Sequence, residues 1–484
     1  MRTRSLETFQ PSVKPGNFAA AYRRPQKERS ILTLMAEFTG KFQQLTASGS
    51  VMQEGACRVQ FDSQTFTLSP DSGAPIVCDL GDLDAVIAAD YELRLPLYTG
   101  SVVLLRQFGK AYETLCHDLL EAFRQRTLQC LLLEDLKEVA RFDGNFELAV
   151  AATSARSGAA EFRLFKSNLA VLPAASQGFQ WRLADVDSVT FDPDTYEVTL
   201  RAGQDVLKAG KLAKRTEEFA ASAKDAIGSL AAQSAQALHS AFPFLTPEQL
   251  QATAALLREG HSALVAQLTA INPKFAAGLA ANAVDHDLKP YYDYLLAGTA
   301  KDTLFAGFKL IRAEDSGEGE SGSGTGDASA DSSSGSDGDT TDTDAGGPQT
   351  LYWFYFPIAG KKGPANLVAW EASSRGGRAT YFFRLVDSAR EAELADPARA
   401  PATLEAALSR LDRVLGMLNF RRRPIYLSDD ELERDRKFHR YAIAARRIPE
   451  LREVRAAFVG RAVHSSLEAW QGQVKAILAK AGVA

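Results

Sequence analysis

The sequence predicts an α+β protein in which a small β-barrel closed by a helix occurs twice, followed by a helical connector and a third antiparallel sheet with C-terminal helices. Three observations carry this reading. The chain matches itself at an offset of 103 residues, its middle switches to helical periodicity, and four aromatic-rich β-like runs follow residue 301 before a leucine stripe appears.

The first module is assigned to 27–138, after a loose N-terminal arm at 1–26 rich in Pro, Gly and Arg. Ile31, Leu32, Leu34, Met35, Phe38 and Phe42 recur at helical spacing, so a helix is expected from Glu28 to about Leu45. The β-like runs CRVQF (57–61) and QTFTLS (64–69) follow, joined by the turn formers Asp62 and Ser63.

The second module, 139–240, is defined by the repeat. LGDLDAV at 80–86 matches LADVDSV at 183–189, and Tyr91-Glu-Leu matches Tyr196-Glu-Val. Each copy passes a glycine turn (Gly100, Gly203) and reaches a Gly-Lys pair, Gly109-Lys110 or Gly210-Lys211. An amphipathic segment then closes each copy, marked by Leu115, Leu119 and Phe123 or by Phe219, Ala223 and Ile227.

Residues 241–300 read as a helical connector with its own small core. Thr246 caps a helix whose first position is Pro247, and the apolar face runs to Asn272-Pro273. The third unit, 301–420, supplies four strands: TLFAGFKLIRA, LYWFYFPI, NLVAWEAS and ATYFFRLV. Tyr352 to Phe356 are consecutive aromatics, as expected of a central strand covered on both faces. An insert at 314–349 rich in Ser, Gly, Asp and Glu cannot bury enough apolar surface to offset ordering entropy, so disorder is expected there. Leu404, Leu408, Leu411, Leu415 and Leu418 then form a helical stripe, and arginine-rich helices occupy 421–484.

Composition narrows the class. At 484 residues the chain exceeds what one core serves, and 45% apolar with 24% charged is ordinary globular usage. There is no uninterrupted apolar run of about 18 residues and no apolar segment behind the N-terminal arginines, so a cytoplasmic protein is expected. Cys57, Cys78, Cys116 and Cys130 lack the close spacing of zinc or redox sites and are expected to be reduced thiols. The net charge of -5 conceals ten carboxylates and no base at 314–344, which leaves the remainder mildly basic.

The order of strands and one closing helix, repeated, resembles the pleckstrin-homology-like superfold, including its GRAM-type members. The resemblance covers about 50–135 and 155–240 and implies a fold rather than an activity. In lipid-binding members it implies basic residues at the first hairpin; here only Arg58, and Arg163 with Lys166, stand there.

Candidate chemistry is sparse. No phosphate loop, dinucleotide fingerprint or nucleophile elbow occurs, and no cofactor is expected. Asp285-His286-Asp287 reads as a solvated helix end, because adjacent side chains do not converge on one metal. The repeated Asp82/Asp84 and Asp185/Asp187 read as turn residues that bond their own backbone. Lys208, Lys211, Lys214 and Arg215 crowd a strand-to-helix junction and form a candidate anion site. Arg375 and Arg378 flank a glycine pair at a turn expected to lie beside the acidic insert, which would screen them from an acidic partner. From Arg421 to Arg461, twelve Arg or Lys mix with seven Asp or Glu, the pattern of a salt-bridged helical surface. The expected function is a non-catalytic scaffold for protein partners. The alternative is a phosphate-ligand or nucleic-acid-binding module that uses the basic residues.

Overall fold

The computed structural model describes residues 37–150, 155–311, 349–361, 363–373 and 379–483. The N-terminal arm, nearly all of the acidic insert, Arg375 and Arg378 lie outside the described residues.

The first module contains β1 (Phe38–Leu45), β2 (Val51–Phe61), β3 (Thr65–Pro70), β4 (Ile76–Asp79), β5 (Ile87–Ala89), β6 (Glu92–Pro96) and β7 (Val102–Arg106), closed by α1 (Tyr112–Cys130). The stretch read as a helix is a strand from Phe38 onward: Phe38 and Phe42 point to one face of β1 and are both buried. The second module repeats the plan with β8 (Glu138–Ala149), β9 (Arg156–Phe165), β10 (Asn168–Pro173), β11 (Phe179–Arg182), β12 (Ser188–Asp192), β13 (Glu197–Ala202), β14 (Asp205–Gly210) and α2 (Thr216–Ala241). Sheet orders are β4-β3-β2-β1-β7-β6-β5 and β11-β10-β9-β8-β14-β13-β12, antiparallel throughout and identical in topology. Both are consistent with a pleckstrin-homology-like half-barrel. Each encloses its own core, with Leu115, Leu119 and Phe123 of α1 in one and Phe219 of α2 in the other.

The connector holds α3 (Pro247–Leu256), β15 (Ser262–Leu264), α4 (Val265–Ile271), α5 (Phe275–Ala283) and α6 (Lys289–Ala297). Thr246 and Gln249 form the reciprocal cap of α3. The third sheet adds β16 (Phe305–Ile311), β17 (Gln349–Ala359), β18 (Pro364–Ser373) and β19 (Ala379–Phe383). After them come α7 (Glu391–Leu394), α8 (Ala400–Met417), α9 (Arg423–Tyr426), α10 (Asp429–Arg434), α11 (His439–Arg447), α12 (Pro449–Ala457), β20 (Phe458–Val463) and α13 (Leu467–Ala481).

The third sheet is six-stranded rather than four-stranded, because β15 from the connector and β20 from the arginine-rich region form its edges. Its central strand β17 is apolar on both faces for a visible reason. Trp353 and Tyr355 pack with Leu408, Leu411 and Leu415 of α8, whereas Tyr352, Phe354 and Phe356 pack with the connector helices and α13. The connector therefore has no separate core; it supplies one cover of this sheet. No described helix is long and apolar enough to cross a membrane.

Candidate functional site

After its fourth strand each module makes one short 3-10 turn, Leu80–Asp82 or Leu183–Asp185, anchored by a fully buried leucine. With the leucine inward, the repeated aspartates stand at the rim and face the rest of the chain. Asp82 receives Arg446 Nη2 at 2.7 Å. Asp84 accepts from Gln177 Nε2 of the second module at 3.0 Å and lies 3.4 Å from Arg447, which also donates to the Leu83 carbonyl at 2.7 Å. In the second module Asp185 lies 2.8 Å from His261 Nε2 and 3.8 Å from Arg182. Asp187 accepts from Gly203 N at 2.7 Å, sixteen residues away on the next hairpin, and lies 3.5 Å from Arg258 of the connector. All four are docking residues, each joining its module to another part of the molecule.

Arg182 fastens the second module. Its guanidinium donates to the carbonyls of Asp412 (3.1 Å) and Glu259 (3.4 Å) and is 8% exposed. It fits because two glycines make room. A Cβ on Gly260 or Gly416 would stand 2.0 Å from an Arg182 nitrogen, and Gly260 has φ +75°, a conformation that glycine adopts at no steric cost. Burial works against the charge on Asp185, but Arg182, His261 and Arg413 outweigh it and hold the carboxyl at about 2.

Behind this latch lies Asp412, a fully buried carboxylate of α8. Its Oδ2 accepts from Ser262 N (2.7 Å) and Ser262 Oγ (2.6 Å), and its Oδ1 from Tyr355 Oη (2.8 Å) and Trp353 Nε1 (3.2 Å). Burial pushes this carboxyl above the ordinary carboxylate range even though the Ser262 and Tyr355 donors and His261 pull it down. One aspartate thus ties α8, β15 and β17 together, while its own carbonyl holds Arg182. Beside the latch a cleft of about 40 Å³ opens among Asn168, Arg182, Glu259, Lys309, Asn419 and Arg421. That is room for a few waters, well below the several hundred Å³ typical of organic ligand sites.

No family model matches this chain, and no curated protein matches it. Among solved structures, one of those similar is the crystal structure of the linker and DH/PH domains of p115-RhoGEF. It is 13% identical over 25% of this chain and 45% of that chain, with a TM-score of 0.16.

The basic residues picked from the sequence do not form one convergent set. Lys208 lies 3.8 Å from Glu197 on the neighbouring strand. Arg215 is bidentate to Glu218 and covers the Phe142 ring at 4.3 Å. Lys211 and Lys214 are exposed and make no ion pair among the described residues. Arg163, one of the few basic residues assigned to the first hairpin of the second copy, is 1% exposed, 2.5 Å from Glu161 and 3.0 Å from Glu121. It joins α1 of the first module to the sheet of the second. Several C-terminal arginines are likewise engaged, Arg440 with Glu134 and Arg455 with Asp429 among them.

One further polar cluster is buried in the third sheet. Glu371 of β18, wholly inaccessible, accepts from Thr380 Oγ1 at 2.6 Å and lies 3.2 Å from His464 Nε2. The His464 ring stacks on Tyr291 at 4.0 Å, and Trp470 Nε1 donates to Thr380 at 2.9 Å. Among the described residues no group of three His, Cys, Asp or Glu side chains is placed to hold a metal.

Proposed function

We propose that the chain is a non-catalytic cytoplasmic adaptor whose two pleckstrin-homology-like modules bind protein partners while the third sheet keeps them in fixed register. The observation that carries this is a pair of exposed tyrosines at equivalent hairpins. Tyr91 is 78% exposed with φ 58°, and Tyr196 is 58% exposed with φ 55°. The Asp90-Tyr91 turn takes positive φ at both central residues, where Asn-Gly is the preferred pair. A bulky side chain held in this conformation costs about 1–2 kcal/mol. Both copies accept that cost and display an aromatic of the type enriched at protein interfaces. The first module also keeps an open edge: β4 ends its sheet and Val77 is 62% exposed. The matching strand β11 is instead held by Gln180, which donates to the Leu131 carbonyl at 2.8 Å, and by Arg182. An open edge accepts an added strand.

The test is affinity capture of the tagged full chain from a lysate of its source cells, beside a Tyr91→Gly/Tyr196→Gly variant, with low- and high-salt washes. A stoichiometric protein that survives high salt and is lost with the variant supports the adaptor; equal retention by both chains rejects it. Lys211 and Lys214, which make no ion pair among the described residues, favour a second reading, an anionic ligand or nucleic acid, whose capture would fall steeply with salt.

A further inference from the structure

The two modules are held by different chemistry. In the second, His261 turns one ring nitrogen to one carboxylate, with Nε2 2.8 Å from Asp185 Oδ1. In the first, His439 opens α11 with both ring nitrogens turned to carboxylates. Nδ1 is 3.1 Å from Glu433 Oε2 and Nε2 is 3.9 Å from Asp82 Oδ2. Only the charged ring carries two N–H groups, so the neutral form leaves one carboxylate facing a lone pair.

The surroundings supply the same bias. Facing His439 or its partners are Asp79, Asp82 and Asp84 from the first module, Glu433 from α10, Arg126 from α1, and Arg446 and Arg447 from α11. Four carboxylates thus meet three guanidiniums, and a charged His439 balances the set. The neighbouring pair of Arg440 and Glu134 is already balanced.

We propose that His439 is a proton-operated catch for the first module, closed when the imidazole is charged and released as rising pH removes its proton. The Asp82 contact raises the affinity of His439 for its proton against a desolvation cost, with Asp79 and Glu433 adding to the effect. A group whose proton is held more tightly when docked contributes fully below the free histidine value. Its contribution is lost as pH climbs through the higher docked value. The second module is the internal control, because Arg182 and Arg413 as well as His261 face Asp185. The inference stands apart from the adaptor reading, since it concerns how the modules are held and not what they bind.

The experiment is amide hydrogen exchange on the full chain from pH 6 to pH 9, with rates corrected for intrinsic exchange. The expected result is that protection of 80–86 and 439–447 falls on the order of fivefold as pH rises, the scale of one partly exposed ion pair, while 260–264 and 412–418 hold steady. In His439→Asn the fall disappears. Glu433→Gln, which keeps the histidine but removes one acceptor, moves the fall to lower pH and serves if His439→Asn does not fold. Protection that is flat with pH in the unaltered chain, or that falls equally in His439→Asn, overturns the proposal.

Discussion

Replacing Asp412 with alanine tests whether the third sheet and the second module share one polar anchor. The substitution strands four donors, those of Trp353 and Tyr355 fully buried and the two of Ser262 half-buried. The Ser262 and Tyr355 hydroxyls can rotate toward other acceptors, but Ser262 N and Trp353 Nε1 cannot, and each stranded donor costs about 1–3 kcal/mol. Two stranded donors cost about 2–6 kcal/mol and no longer burying a carboxyl returns part of this, so the net loss is about 2–4 kcal/mol. At about 2–4 °C per kcal/mol that lowers the melting temperature by roughly 4–16 °C. Asp412→Asn keeps an acceptor for Trp353 and Tyr355 while turning an amide toward Ser262 N, and should fall between parent and alanine. Differential scanning calorimetry with tryptophan fluorescence measures both. An Asp412→Ala protein that melts within about 2 °C of the parent would refute the reasoning, because donors in a dry core would then have no need of this acceptor.

Two other outcomes follow from the same seam. Gly416→Ala places a methyl 2.0 Å from Arg182 Nη1 and should dislodge the latch; adding Arg182→Ala removes the clash, so a double-mutant cycle by calorimetry should show coupling of about 1–3 kcal/mol. The depressed carboxyl of Asp185, about 2 against an ordinary 3.8, contributes stability that is complete above about pH 4 and lost as pH falls toward 2, about 2 kcal/mol in all. Acid titration followed by near-ultraviolet circular dichroism should show that loss in the parent and not in Asp185→Asn.

The duplicated architecture was legible because it lies in local pattern: a repeated turn, a glycine, and a helix stripe that 3.6-residue periodicity exposes. The misread opening strand shows where pattern fails. Phe38 and Phe42 are four apart, which places them on one face of a strand as readily as of a helix. Only the partner strands β2 and β7 decide between the two. The short strand β15 has three residues, too few for any period. Strand β20 follows an arginine-rich helix without a break in composition.

At the site, Arg182 carries no signal, because its role depends on glycines far away in sequence at 260 and 416. Asp412 could have been found. It stands four residues after Leu408 and three before Leu415, a carboxylate inside a leucine face, and a buried acid in that position demands partners. The Asp-x-Asp repeat was seen and read too locally. A turn explains why aspartates occur there, but not why arginines and histidines distant in sequence converge on them.

The composite third sheet has a consequence for how the protein is made. Both modules close on their own cores and can fold as soon as α1 and α2 leave the ribosome. The sheet cannot: β19, every residue of it buried in the finished structure, waits for β20 and α13, and until then presents an unpaired apolar edge. The chain made up to β19 therefore carries two closable modules beside an open, adhesive sheet, and the segment from Phe458 to Ala481 is what covers that edge.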